Sequence, residues 1–463
     1  MEKNNRGKFA SKLGVILASA GSAVGLGNIW RFPTEAGENG GAAFILIYIC
    51  CIILFGLPVM IAEFMIGRNT NADASTAFKK LAPGKIQWHW IGPLGVVAGM
   101  MIFSFYSVVA GWTLNYTVQA GLNRFNHMAG NGTENVFGNY FSNFIADPIW
   151  PTIYLTAFIL LTHYVVAKGI EKGIERFSKI MMPTLFILLL VLAGFALTTQ
   201  GAAEGLSFLF KPDFSKINSD VILSAMGQAF FSLSIGLGCL CTYASYFRPN
   251  VNLTKTAISV AGIDTFVAIV SGLIIFPAVF SVPGMEPSEG PSLVFVALPN
   301  IFRIVFADYP IVAYILPFLF YLLLVLASLT STISMHELVT AYLHERHHIS
   351  RQKATYIVTT VCLVFGILCS LSLGSGSVLN IGGMSLFDLF DYLTAKWMLP
   401  LGGLFIALFT GWQLERKIIW EELTNKGQLS FYGFKVFMFL MKFVAPVGIL
   451  LIFLDQLNIL SFS

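Results

Sequence analysis

Charge is what this chain has least of. Lys, Arg, Asp and Glu make up 11% of its 463 residues, against about 25% in a soluble globular domain. A water-soluble fold is excluded on that ground, and a polytopic membrane protein with a lipid bilayer as its solvent is expected. Cysteine is equally sparse. Cys50, Cys51, Cys239, Cys241, Cys362 and Cys369 all fall in apolar runs, which argues against a disulfide framework and for small buried hydrophobes. No small-residue cleavage site follows the first apolar run, so no cleaved leader is expected. The net charge of +4 resides in loops between apolar segments and does not suggest a nucleic-acid partner. No metal-ligand pair shares a helix face and no nucleophile motif is found, so no catalytic residue is assigned and the chain is not read as an enzyme. His344, His347 and His348 sit in a charged loop and read as a solvated face.

What is there in quantity is apolar: 56% of the residues are hydrophobic and 14% aromatic. A crossing helix needs about 20 apolar residues. Eleven spans follow, at 10–34, 41–67, 88–123, 151–168, 176–199, 220–247, 253–283, 308–342, 352–372, 386–412 and 433–459. Alternate loops collect the basic residues: Lys3, Arg6, Lys8 and Lys12, then Arg68, Lys79, Lys80 and Lys85, then Lys168, Lys172, Arg176 and Lys179. The positive-inside rule therefore puts the N-terminus in the cytoplasm and the C-terminus outside. Among the outer segments, the Pro/Gly-rich V-P-G-M-E-P-S-E-G-P run is expected to fold over the outer mouth.

The first span contains the stretch that organises the rest, G-S-A-V-G-L-G-N-I-W-R-F-P. Gly21, Gly25 and Gly27 make a poor helix interior, each costing about 1 kcal/mol relative to alanine. Asn28 and Arg31 at membrane depth call for an internal cavity, and Pro33 is expected to end the run. The prediction is a helix broken near the bilayer midplane. The carbonyls of Gly21, Ala23 and Val24 and the Asn28 side chain are then hard oxygen ligands for a cation such as sodium. The amides of Leu26 and Gly27, opening the next half-helix, suit a carboxylate. A ligand carrying an amine beside a carboxylate, an α-amino acid, fits both.

Ser234-Ile235-Gly236-Leu237-Gly238 in the sixth span echoes Ser22-Ala23-Val24-Gly25-Leu26-Gly27. Spans separated by an odd number cross in opposite senses, so the echo predicts an all-α, 5+5 inverted-repeat transporter fold with broken helices one and six. The expected division is 1–200 for the tail and spans one to five, 201–413 for spans six to ten, and 414–463 for a cytoplasmic loop and span eleven. In the eighth span Ala327, Thr330 and Ser331 lie within one turn; hydroxyls there serve either the helix backbone or a ligand. Asp264, an acid inside the apolar seventh span, is an ion ligand or a proton site.

These motifs, with E-N-G-G at Glu38–Gly41, G-Q-A-F-F-S-L-S-I-G-L-G at 227–238, T-Y-A-S-Y at 242–246, K-G-I-E-R at 172–176 and the 327–332 run, resemble the neurotransmitter:sodium symporter family, bacterial branch, over nearly the whole chain. The resemblance implies sodium-coupled import of an amino acid across the bacterial cytoplasmic (inner) membrane by alternating access. It implies a substrate carboxylate at the Leu26 and Gly27 amides and the Tyr106 hydroxyl, and an amine at the carbonyls of Ala23, Phe231 and Ser232. The substrate side chain is expected among Ile102, Phe231, Ser234, Leu237 and Met335, with Ser331 bordering the site. One sodium is implied at Ala23, Asn28, Ser232, Asp264 and the substrate carboxylate, and a second at Gly21, Val24, Ala327, Thr330 and Ser331. Arg31 is implied to pair with Asp391, with Asp388 as the other candidate, and Arg6 with Glu345, as outer and inner gates. Phe9 stands where the family usually has tryptophan.

Two departures refine the expectation. Chloride-dependent members carry a neutral side chain where Asp264 stands, so this chain is expected not to need chloride, and a protonatable Asp264 suggests proton antiport on the return step. Leu237 between two glycines suits a medium or large apolar side chain: leucine, methionine or an aromatic amino acid. The alternative is an amino-acid-binding membrane sensor or receptor with the same fold and no turnover.

Overall fold

The computed structural model describes residues 7–128, 136–282, 292–374 and 379–457. Nine helices among them are long and apolar enough to cross a membrane: Ala42–Thr70, Ile86–Gly121, Trp150–Ala167, Ile170–Ala196, Leu253–Phe280, Pro310–Arg346, Arg351–Ser372, Leu386–Gln413 and Phe434–Gln456. The first span is a bent pair, Lys12–Ala23 and Gly27–Glu38, turning by 57° at the break. The sixth consists of Ser219–Ser232 and Cys239–Ala244, of 14 and 6 residues, each too short to cross alone. Length and composition thus account for up to ten of the eleven predicted crossings among the described residues, and the sixth predicted span, this interrupted segment, is the one they do not count.

The small residues of the first span let its neighbours approach closely, as membrane helix packing requires. Lys12–Ala23 packs on Leu253–Phe280, Pro310–Arg346 and Ile170–Ala196, and Ile86–Gly121 lies along Pro310–Arg346. The two interrupted segments therefore stand inside the bundle, where freed backbone groups find protein partners instead of lipid. The outer half-helix does not end at Pro33 as expected but runs on to Glu38. A π-helical turn at Gly27–Arg31 ends one residue short of the proline, which falls in the first turn of the following helix Phe32–Glu38, where a missing amide and the ring are tolerated.

Two elements were not anticipated. Asn380–Ile381 pairs antiparallel with Met384–Ser385, joined by Gly382 and Gly383 at φ 62° and 84°, as a tight hairpin demands. A short helix, Leu293–Val305, is held by Tyr116 Oη to the Phe295 carbonyl at 2.8 Å and Tyr321 Oη to the Val294 carbonyl at 2.6 Å. The Pro/Gly-rich run expected over the outer mouth lies almost wholly outside the described residues.

Candidate functional site

In a continuous helix the amides of Gly25 and Leu26 would bond the carbonyls of Gly21 and Ser22. Here Val24 is extended (φ −68°, ψ 116°), and those amides turn elsewhere. Gly25 N–H donates to Asn28 Oδ1 at 2.9 Å and Leu26 N–H to Tyr106 Oη at 3.0 Å. The released Ser22 carbonyl accepts from Ser234 Oγ at 3.1 Å, which ties the first break to the second. Glycine is required by clearance: a Cβ on Gly25 would stand 2.5 Å from Ser331 Oγ, and one on Gly27 2.9 Å from the Phe231 ring.

The second break runs from Leu233 to Gly238, with Ser234, Gly236 and Gly238 at φ 52°, 88° and 86°. Three left-handed residues in six forbid a helical ladder. Glu63, fully buried on the second span, satisfies the amides this exposes, accepting from Gly236 at 2.7 Å and Cys241 at 3.2 Å.

Between the breaks lies a buried carboxylate. Asp264 accepts from Asn28 Nδ2 at 2.7 Å, from Ser232 Oγ at 2.8 Å and from Tyr48 Oη at 3.2 Å. Asn28 Nδ2 also reaches Ser232 Oγ at 2.9 Å and the Asp264 carbonyl at 3.1 Å. Asn28 and Asp264 are each 0% exposed, so this charge relies wholly on protein groups, or on a cation, for its solvation.

A second oxygen cluster forms where the eighth span meets the Val24 carbonyl. Thr330 Oγ1 lies 3.3 Å and Ser331 Oγ 3.1 Å from that oxygen, and Thr330 Oγ1 lies 2.9 Å from the Ala327 carbonyl. A Cβ on Gly21 would meet Thr330 Cβ at 3.2 Å, so Gly21 closes the same corner. Adjacent oxygens around a hard cation with bonds of about 2.4 Å stand roughly 3.4 Å apart, close to this spacing.

Above the breaks opens a cavity of about 830 Å³ whose lining includes Leu26, Gly27, Tyr106, Phe231, Arg31, Asp388 and Asp391. Ile102, Leu237 and Met335 are buried outside that lining, and Ser234 likewise lies outside it. Arg31 and Asp391 share the cavity, but no ion pair joins them among the described residues. Arg31 bonds Glu35 at 3.3 Å, and its guanidinium lies 4.5 Å from the Phe231 ring centroid. Asp388 accepts from Ser385 at 2.6 Å. Arg6 falls outside the described residues; Glu345 accepts from the Asp73 amide at 2.7 Å.

Three contributors were missed from the sequence. Tyr48 bonds Asp264, Gln228 Nε2 bonds the Gly27 carbonyl at 3.2 Å, and Glu175 grips the start of the first helix. Tyr48 and Gln228 are polar groups in apolar spans, as Asp264 is, but carry no charge to draw attention, and Glu175 stands in the charged K-G-I-E-R run at 172–176, outside the predicted spans.

Two interrupted helices inside a helical bundle, with one oxygen cluster at the first break and another between the two breaks, define a membrane transporter of the 5+5 inverted-repeat fold. The model of the sodium:neurotransmitter symporter family matches residues 6–130 and 141–462. The chain belongs to that family, and is accordingly a sodium-coupled transporter and not an enzyme. It is 37% identical, over 98% of both chains, to YhdH, an uncharacterized sodium-dependent transporter of Bacillus subtilis. It is 28% identical to the human sodium- and chloride-dependent GABA transporter 2, over 87% of this chain and 72% of that one. The crystal structure of MhsT in complex with L-phenylalanine superposes with a TM-score of 0.87 at 44% identity, covering 98% of this chain and 100% of that one.

Proposed function

We propose that this protein imports an apolar α-amino acid with sodium, independently of chloride, by alternating access. The observation that carries the reading is the Leu26 amide and the Tyr106 hydroxyl meeting at the start of a half-helix and at the floor of an open cavity. That pair, with the Gly27 amide, suits a substrate carboxylate. The carbonyls of Ala23, Phe231 and Ser232 suit its amine. Leu237, Ile102, Met335 and Phe231 offer an apolar side chain its surroundings, and the L-phenylalanine bound by MhsT supports that class.

Sodium is a co-substrate at two places in this reading. The second takes the carbonyls of Gly21, Val24 and Ala327 and the hydroxyls of Thr330 and Ser331, a reading supported by the 2.9–3.3 Å approach of the two hydroxyls to the Val24 and Ala327 carbonyls. At the first, sodium takes the place that Asn28 Nδ2 now fills beside Ser232 and Asp264, the Asn28 amide rotating to present its oxygen, and the Ala23 carbonyl and the substrate carboxylate complete the shell. Asp264 supplies there the fixed negative charge that removes any need for chloride. Arg31 and Asp391 come together over the cavity when substrate is enclosed, while Arg6 and Glu345 guard the other side.

The N-terminus is cytoplasmic and the C-terminus outside a bacterial inner membrane. One sodium ion crossing about 100 mV yields roughly 2.3 kcal/mol. A tenfold gradient adds about 1.4 kcal/mol. Together these sustain accumulation of a zwitterion on the order of 500-fold per ion. Proteoliposomes with an inward sodium gradient test the proposal: labelled leucine, methionine or aromatic amino acid accumulates above its outside concentration. Sodium-dependent binding without accumulation would instead mark a sensor.

A further inference from the structure

The first helix begins on a carboxylate that belongs to another span. Glu175, 1% exposed, stands at the end of the π-helical turn Ile170–Glu175 that opens the fifth span. It accepts from the Ala10 amide at 2.5 Å, the Ser11 amide at 3.2 Å and the Ser11 hydroxyl at 2.8 Å. The same Ser11 hydroxyl caps the helix by accepting from Gly14 N–H at 3.0 Å. Lys179, one turn along, holds Glu175 Oε1 at 2.6 Å. Gly14 lies directly beneath the carboxyl group, and a Cβ there would collide with it.

The adjoining residue is held separately. Phe9 N–H donates to the Tyr246 carbonyl at 3.2 Å, the Phe9 carbonyl accepts from Arg248 Nε at 3.1 Å, and the ring is buried against Tyr243, Tyr246 and Phe247. Residues 9–11 are thus fastened to two different elements, by the Glu175 carboxylate on one side and by the Arg248 guanidinium and the Tyr246 carbonyl on the other. Lys12–Ala23 ends at the Val24 break, so to pivot as a rigid arm about that break it has to give up both the fastenings of residues 9–11 and its packing on Leu253–Phe280, Pro310–Arg346 and Ile170–Ala196.

We propose that Glu175 is a positioning residue: a latch that holds the N-terminal half of the first span against the fifth while the Arg31 side of the molecule is open, and lets go when that half-helix swings out. The inference rests on alternating access, but not on which substrate is carried. Charge-assisted bonds to three donors of one short segment are strong together and are lost together, as a two-state fastening requires.

The test reads access to both sides in purified full-length protein without amino acid, in a background where the exposed Cys50 is replaced by alanine. A polar thiol reagent reports on Ser19→Cys, buried on the inner half-helix, and on Thr34→Cys, which lines the open cavity. Glu175→Gln is expected to raise the Ser19→Cys rate about fivefold and to lower the Thr34→Cys rate, as a shift between two states requires. Ser11→Ala, a milder change, moves both rates the same way by less, and sodium reverses both shifts. Rates unchanged in both variants overturn the proposal. Rates rising together also overturn it, because general loosening does that. No amino acid is present, so a failure to find a transported substrate leaves this result readable on its own.

Discussion

Asn28 and Asp264 hold each other twice: Asn28 Nδ2 lies 2.7 Å from the Asp264 carboxylate and 3.1 Å from the Asp264 backbone carbonyl. The other end of the Asn28 amide accepts from Gly25 N–H. One side chain therefore props open the first break and anchors the buried charge of the seventh span. The buried charge and the helix interruption are one structural unit here.

Replacing that charge has a specific consequence. Asp264→Ser leaves Asn28 and Ser232 facing each other without an anion. Sodium-driven uptake by this variant is expected to fall steeply in chloride-free buffer and to recover in part when chloride is added. The unaltered protein should take up substrate equally with chloride or gluconate; stimulation by chloride would contradict the role given to Asp264.

Tyr106→Phe keeps the ring and removes the hydroxyl that meets Leu26 N–H. Loss of one hydrogen bond to a charged ligand costs about 1.5–3 kcal/mol. Substrate Kd should rise by one to two powers of ten, read by isotope binding, with the melting temperature little changed.

Thr330→Val with Ser331→Ala deletes two oxygens around the Val24 carbonyl while keeping approximate volume. The half-saturating sodium concentration should increase several-fold and the sodium Hill coefficient should drop toward one. Unchanged sodium dependence would remove this cluster from the mechanism.

Glu63→Gln tests the second break without touching the substrate site. Its two oxygens serve Gly236 and Cys241, and an amide can serve only one of them. A buried amide N–H left unmatched costs about 1–3 kcal/mol, so thermal unfolding followed by size exclusion should shift to lower temperature.

The sequence made the two breaks legible because glycines cluster where a helix cannot tolerate them, and because Ser22–Gly27 and Ser234–Gly238 echo each other. It also exposed Asp264, since a charge in an apolar run is conspicuous. It did not reveal that Tyr48 faces Asp264 or that Glu175 grips Ser11, partners separated by 216 and 164 positions. Such pairings are set by helix rotation and packing, which periodicity does not encode. Pro33 misled for a local reason: it falls in the first turn of Phe32–Glu38, where a proline does not stop a helix. The family resemblance matched Arg31 with Asp391, with Asp388 as the other candidate, yet with the cavity open its near neighbour Glu35, four residues on, holds it.

The central claim is that main-chain atoms released at two helix breaks recognise a zwitterion together with sodium. It is tested most directly by equilibrium binding of an apolar L-amino acid and of its carboxamide to the purified protein, in sodium and in potassium. Saturable binding of the amino acid is expected in sodium alone, with the carboxamide weaker by about two powers of ten for want of a carboxylate. Equal binding of the two compounds, or binding indifferent to sodium, would contradict it.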